Sequence, residues 1–74
     1  MVFEKLKGIL KDELGFDADD LTLESTLEDI GADSLDAVEM IMAIEELYGI
    51  EIAETDAEKF TNFGNIVTYI ESKI

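Results

Sequence analysis

One hydroxyl stands out among the groups that could do chemistry. Ser34 lies in Gly31-Ala32-Asp33-Ser34-Leu35-Asp36, where an irregular stretch gives way to a run of helical period. A serine there can cap a helix, or it can accept a group from another protein. It cannot readily activate itself. Asp33 and Asp36 disfavour an alkoxide beside them, and the chain has no histidine to serve as a base. Position alone leaves the capping and attachment roles both open.

The missing residue types narrow the chemistry further. With no histidine and no cysteine, the chain cannot build a Ser-His-Asp triad, a thiol nucleophile, a zinc finger or a disulfide framework. An enzyme would have to work with carboxylates, lysine or tyrosine, and no pattern gathers these into a cleft, so no catalytic residue is assigned. A calcium loop starting at Asp17 would put Asp19 third and Glu28 twelfth. It would also put Leu21 fifth and Thr22 sixth, where a glycine is needed, so the motif fails and no metal site is assigned.

Nineteen acids against five lysines give the 74 residues a net charge of −14. Between Asp12 and Glu58 there are 17 acids and no base. Such a field repels phosphate backbones and excludes nucleic acid as a partner. It also costs self-repulsion, and in return it speeds capture of basic partners. Like-charged faces point to a monomer. An apolar share of 47% argues for a folded chain. No apolar run is long enough to span a membrane and no basic-then-apolar leader opens the sequence, so membrane insertion is not expected and a cytoplasmic setting is. The length suits one domain over residues 1–74.

These residues must be positioned by helices. Val2, Phe3, Leu6, Ile9, Leu10 and Leu14 recur at three- and four-residue steps, predicting a helix from Val2 to Leu14 with Gly15 as its left-handed stop and apolar Phe16 after it. The stretch from Asp17 to Asp33 holds no helical period. Leu21, Leu23, Leu27 and Ile30 would pin it to a core, with a short turn capped by Ser25 and Glu28. A second helix should run from Ser34 to Tyr48, with Asp33 as N-cap, Asp36 at the positive end of the dipole and Gly49 as the stop. After the extended link Ile50-Glu51-Ile52, a capping box at Thr55 and Glu58 should start a short helix reaching Phe60. Phe63, Ile66, Val67, Ile70 and Ile74 give the last helix its stripe. The expected fold is all-α: a small four-helix bundle with three longer helices, a short third one, and a long loop between the first two.

On a wheel at about 100° per residue, Ala37, Met40, Ile41, Ile44, Leu47 and Tyr48 of the second helix share one sector, the core face. Leu35, Val38 and Met42 group on the other side, framed by Glu39, Glu45 and Glu46. An apolar ridge bordered by acids and turned away from the core is a contact surface for a basic partner. Three scattered apolar residues on an ordinary surface is the competing reading.

The segment Leu27-Glu28-Asp29-Ile30-Gly31-Ala32-Asp33-Ser34-Leu35-Asp36 resembles the attachment motif of acyl carrier proteins, whose centre is Asp-Ser-Leu. The likeness continues through Glu39, Ala43-Ile44-Glu45-Glu46 and Ile50-Glu51-Ile52 to Phe63-Gly64-Asn65-Ile66-Val67-Thr68-Tyr69-Ile70, and so spans nearly the whole chain. This resemblance implies a 4′-phosphopantetheine arm on Ser34, transferred from coenzyme A by a phosphopantetheinyl transferase, with acyl cargo carried as a thioester. The chain has no thiol of its own, so the sulfur must be imported. The N–H groups at a helix start would favour the phosphodiester. It also implies docking of acyl-processing enzymes of fatty-acid synthesis, through basic patches, on Leu35, Val38 and Met42 with Asp33, Asp36, Glu39, Glu45, Glu46 and Asp56. A sheltered acyl chain would be lined by Met40, Ile44, Ile52, Ala57 and Phe60. Ala53, where a proline is frequent, and the bulky Phe60 stand apart from the family pattern. A carrier of another cargo (polyketide, aminoacyl or D-alanyl) and an unmodified acidic adaptor are the alternatives.

Overall fold

The computed structural model describes residues 2–74, and all regular structure in them is helical. α1 spans Val2–Gly8 and continues as a wider π-helical turn over Ile9–Glu13. The predicted uninterrupted α-helix to Leu14 is thus corrected. The Leu14 N–H reaches back five residues to the Ile9 carbonyl at 3.3 Å, and the Phe16 N–H closes the end on Leu10 at 2.8 Å. Adjacent Ile9 and Leu10 are both buried at this turn. Gly15 adopts φ 73° as the left-handed stop.

The long connection is held by its backbone more than by its leucines. Leu21 and Ala18 are buried, and Leu27 and Ile30 half-buried, but Leu23 is exposed, against expectation. Its contribution comes through its carbonyl, which accepts the Gly64 N–H at 2.8 Å, while the Ser25 carbonyl accepts the Phe63 N–H at 3.0 Å. The loop thereby satisfies two of the N–H groups that a helix start leaves open. A Cβ on Gly64 would lie 3.1 Å from the Leu23 carbonyl oxygen, a tight contact that a larger residue could make only if the loop gave way by a few tenths of an ångström. The short turn in this loop is a 3-10 helix, Glu28–Ile30. Its reciprocal bonds join Thr26 and Asp29, not Ser25 and Glu28. Ser25 instead accepts the Thr22 N–H at 3.0 Å, which removes its hydroxyl from the predicted cap.

α2 spans Ser34–Tyr48, between Asp33 and a left-handed Gly49 (φ 66°). Met40 and Ile44 are its buried residues, with Ala37, Ile41 and Tyr48 half-buried. Leu47, placed on the core face by the wheel, is 49% exposed. It lies at the edge of the apolar sector, in a shallow groove shared with Glu13, Ala43 and Glu46. α3 is short, Glu54–Ala57, and its N-cap is Ala53, two residues before the predicted Thr55. Ala53 precedes it without any side-chain cap, so the expected Thr55–Glu58 box does not form. Backbone bonds continue the turn to Phe60. α4 spans Phe63–Lys73 and buries Phe63, Ile66, Val67 and Ile70 against α1 and α2 in one core. Its cap is a reciprocal pair, Asn62 with Asn65. Ile74 lies beyond the helix and is exposed, so it leaves the predicted stripe. No described helix is long and apolar enough to cross a membrane.

Among the described residues there is one ion pair, Lys11 with Asp19 at 2.6 Å. That contact raises the lysine pKa and lowers the aspartate's, chiefly through the hydrogen bond itself. No other acid has a lysine partner among the described residues. Millimolar magnesium chloride, or 0.1 M salt with its Debye length of about 10 Å, is expected to raise the melting temperature by about 5 °C. A melting curve unchanged by both would contradict the repulsion.

Candidate functional site

Ser34 is the first residue of α2, and the turn before it fixes where its hydroxyl goes. Gly31 ends the 3-10 turn at φ 77°, and the Ala32 N–H returns to the Leu27 carbonyl at 3.0 Å. Asp33 then enters extended (φ −102°, ψ −173°), and the helix begins. A reciprocal pair locks the start. The Asp36 N–H donates to Asp33 Oδ1 at 3.0 Å, and the Asp33 N–H donates to Asp36 Oδ2 at 3.1 Å. The predicted cap and its acidic companion both stand where expected.

Ser34 is exposed, and among the described residues its hydroxyl has no hydrogen-bond partner. The other two serines are engaged. Ser25 Oγ is paired with Thr22, and Ser72 Oγ donates to the Tyr69 carbonyl at 2.6 Å. Ser34 is the serine left open to an external reagent. Capping belongs to Asp33, so the Ser34 hydroxyl is not the capping group of α2.

The helix start itself is already occupied. The Asp36 backbone N–H, then the Asp36 side chain and the Leu35 N–H, hold the Asp33 carboxyl below the usual carboxylate range. That carboxylate takes the Asp36 N–H, one of the helix-start donors that were expected to favour a phosphodiester.

The depressed Asp33 pKa has a sign. The group contributes stability above its unfolded pKa, and that contribution fades as pH falls through the lower folded value. Asp33→Ala should lower the melting temperature by about 5 °C at neutral pH. The gap to the wild type should close below the ordinary aspartate range. Thermal melts across acid pH check this, and a gap constant with pH would contradict it.

Along α2, Leu35, Val38 and Met42 are 66%, 52% and 61% exposed. They form the ridge the wheel placed there. Glu39 and Glu46 are exposed beside it, with no internal hydrogen bond among the described residues. The other acids assigned to this surface have work inside the fold. Asp33 and Asp36 cap α2. Glu45 Oε2 accepts the Ile52 N–H at 2.8 Å, and Asp56 Oδ2 accepts the Tyr69 hydroxyl at 2.9 Å. The Asp56 carboxylate raises the tyrosine pKa, first through that hydrogen bond. No local pattern marks Tyr69 as a partner, because Asp56 is thirteen residues away on another element.

The proposed acyl-chain residues divide. Met40, Ile44 and Ile52 are buried in the core, with Ala57 and Phe60 packed against it. Phe60 also lines an open groove of about 420 Å³ with Leu27, Phe63 and Ile66. Among the described residues, no group of three or more acidic side chains is placed to hold a metal ion.

The family described as phosphopantetheine attachment site matches residues 4–70. An acyl carrier protein of Clostridium acetobutylicum is 51% identical over 73 residues, covering 97% of this chain and 95% of that one. One from Helicobacter acinonychis is 49% identical over 71 residues, covering 95% and 91%. The crystal structure of an acyl carrier protein from Thermotoga maritima superposes with a TM-score of 0.91 over 97% of this chain and 85% of that one. At 21% identity, this likeness speaks for the fold.

Proposed function

The chain belongs to the acyl carrier protein family and bears phosphopantetheine, and from that premise we propose that Ser34 is the attachment residue and that residues 1–74 act as one carrier domain in fatty-acid synthesis. The observation that carries this is the unpartnered, exposed Ser34 hydroxyl at the first residue of α2.

The surroundings fit the group. The hydroxyl has open solvent in front of it, and a Cβ added at Gly31 would meet nothing within 4 Å. Loading would form an Oγ–phosphorus bond as the pyrophosphate bond of coenzyme A breaks and adenosine 3′,5′-bisphosphate leaves. The serine proton must go to a base on the transferase, because this chain has no histidine and its nearest carboxylates are engaged in capping. When bound, the arm supplies the thiol on which an acyl group rides as a thioester. This chain's own part is to present the hydroxyl on a rigid helix start and to leave catalysis to its partners.

Those partners are the transferase and acyl-processing enzymes with basic patches. Glu39 and Glu46 steer them, Leu35, Val38 and Met42 give a small apolar contact, and Asp33, Asp36, Glu45 and Asp56 add to the field. Electrostatic steering with a small apolar contact gives fast arrival and fast release. The like-signed field favours a monomer, and the cytoplasm supplies the coenzyme A and the partners. Incubation with coenzyme A and a transferase is expected to add one phosphopantetheine per chain by intact mass, followed by loading from malonyl rather than aminoacyl donors. A chain that accepts aminoacyl groups instead would overturn the fatty-acid assignment while leaving the arm in place.

A further inference from the structure

Two methionines stand two residues apart on α2 and lead different lives. Met40 is fully buried and belongs to the core, whereas Met42 is exposed in the ridge it shares with Leu35 and Val38. A reagent in solvent meets one thioether and not the other. The chain has no cysteine and no tryptophan, so before an arm is attached its softest oxidisable atoms are the sulfurs of its three methionines. Met1 lies outside the described residues. A methionine suits a surface that must fit several partners, because its unbranched, polarisable side chain adapts to each. The same sulfur is the one atom of this ridge that a mild oxidant can change.

We propose that Met42 is a reversible oxidation site whose sulfoxide weakens partner docking and leaves the fold intact. A peroxide supplies the oxidant. Its O–O bond breaks, one oxygen bonds to the Met42 sulfur, which is oxidised, and hydrogen peroxide is reduced to water. A methionine sulfoxide reductase reverses the step with two electrons from a dithiol, which becomes a disulfide as the oxygen leaves as water. The new S=O group is polar, and docking would have to strip its water where an apolar contact was made before. It carries no charge, so the acidic field that steers partners stays as it was. It already faces solvent, so the core around Met40 and Ile44 has nothing to rearrange. The effect on docking rests on the ridge being the partner surface; the selectivity for Met42 does not.

The test treats the unmodified chain with dilute hydrogen peroxide, before any arm thiol can compete. Cleavage after glutamate releases Met40-Ile41-Met42-Ala43-Ile44-Glu45, and fragment masses separate the two sulfurs. Met42 is expected to gain oxygen roughly ten-fold faster than Met40, as exposure dictates. With the peroxide removed, loading from coenzyme A by a transferase should show KM raised roughly five-fold, a fraction of what a buried methionine side chain is worth. The kcat, the salt dependence and the helical circular dichroism should stay unchanged, and the reductase should restore KM. Met42→Leu, whatever its own KM, should show no further change on peroxide treatment. Equal oxidation of Met40 and Met42 would overturn the proposal, as would an unchanged KM once Met42 is oxidised, or a peroxide effect that persists in Met42→Leu. Leu35→Ala and Val38→Ala separate the two readings. If they raise KM and the sulfoxide does not, the ridge docks partners and Met42 is no switch; if none of the three does, the docking surface falls and the switch falls with it.

Discussion

Ser34→Ala will keep its helices and its melting temperature and lose all capacity to accept phosphopantetheine. Both halves come from one observation. The hydroxyl makes no hydrogen bond among the described residues, the side chain is exposed, and the cap of α2 is carried by Asp33. Removing Oγ therefore orphans nothing in the fold, and alanine is a favourable residue inside a helix. Surface changes of this kind usually stay within about 0.5 kcal/mol. Attachment has no substitute, because the hydroxyls of Ser25 and Ser72 are tied to Thr22 and the Tyr69 carbonyl. Intact mass after incubation with coenzyme A and a transferase should show a shifted wild type and an unshifted variant. Circular dichroism melts of the two should overlay. A variant that still gains mass would move the site elsewhere, and one that melts much lower would mean that Ser34 has a structural role the geometry does not contain.

Phe63→Ala is the variant with the largest expected effect on stability. Phe63 is fully buried, and it sits where α4 begins and the long loop crosses it, its N–H donating to the Ser25 carbonyl. Truncating a buried phenylalanine costs about 3–5 kcal/mol. A chain of this length has a total stability of about 4–11 kcal/mol. The melting temperature should fall by about 15–30 °C. The loop should loosen with it, because the same residue anchors side chain and backbone together. Thermal melts by circular dichroism check the first point, and amide exchange at Gly64 the second. A fall of less than about 5 °C would mean that the core closes over the gap.

The parts of the fold that were legible in the sequence are those decided within a few residues. α2 is the clearest case. Its cap, its apolar period and its glycine stop are all local, and the exposed ridge of Leu35, Val38 and Met42 follows from the same period. Where the chain answers to distant partners, the sequence alone did not decide. The loop lies down because α4 needs acceptors for Phe63 and Gly64, so Leu23 contributes a carbonyl and leaves its side chain in solvent. α3 starts without its predicted box, and the Asp56 carboxylate instead meets Tyr69 on the last helix. Thr26 and Asp29, not Ser25 and Glu28, cap the short turn, although both pairs have suitable spacing and chemistry. At the candidate site, the Asp33 cap and the place of Ser34 as the first residue of α2 were both readable. The double use of Glu45 and Asp56 was not, since each carboxylate bonds a residue beyond its own helical turn.

Peptide mapping of the loaded protein puts the attachment claim to its most direct test. After reaction with coenzyme A and a transferase, proteolysis and fragment mass spectrometry should find one phosphopantetheine per chain, on the peptide that contains Ser34 and on that residue within it. An adduct on Ser25, Ser72 or a threonine, or a chain that stays unmodified under conditions that load the Clostridium acetobutylicum relative, would contradict the account.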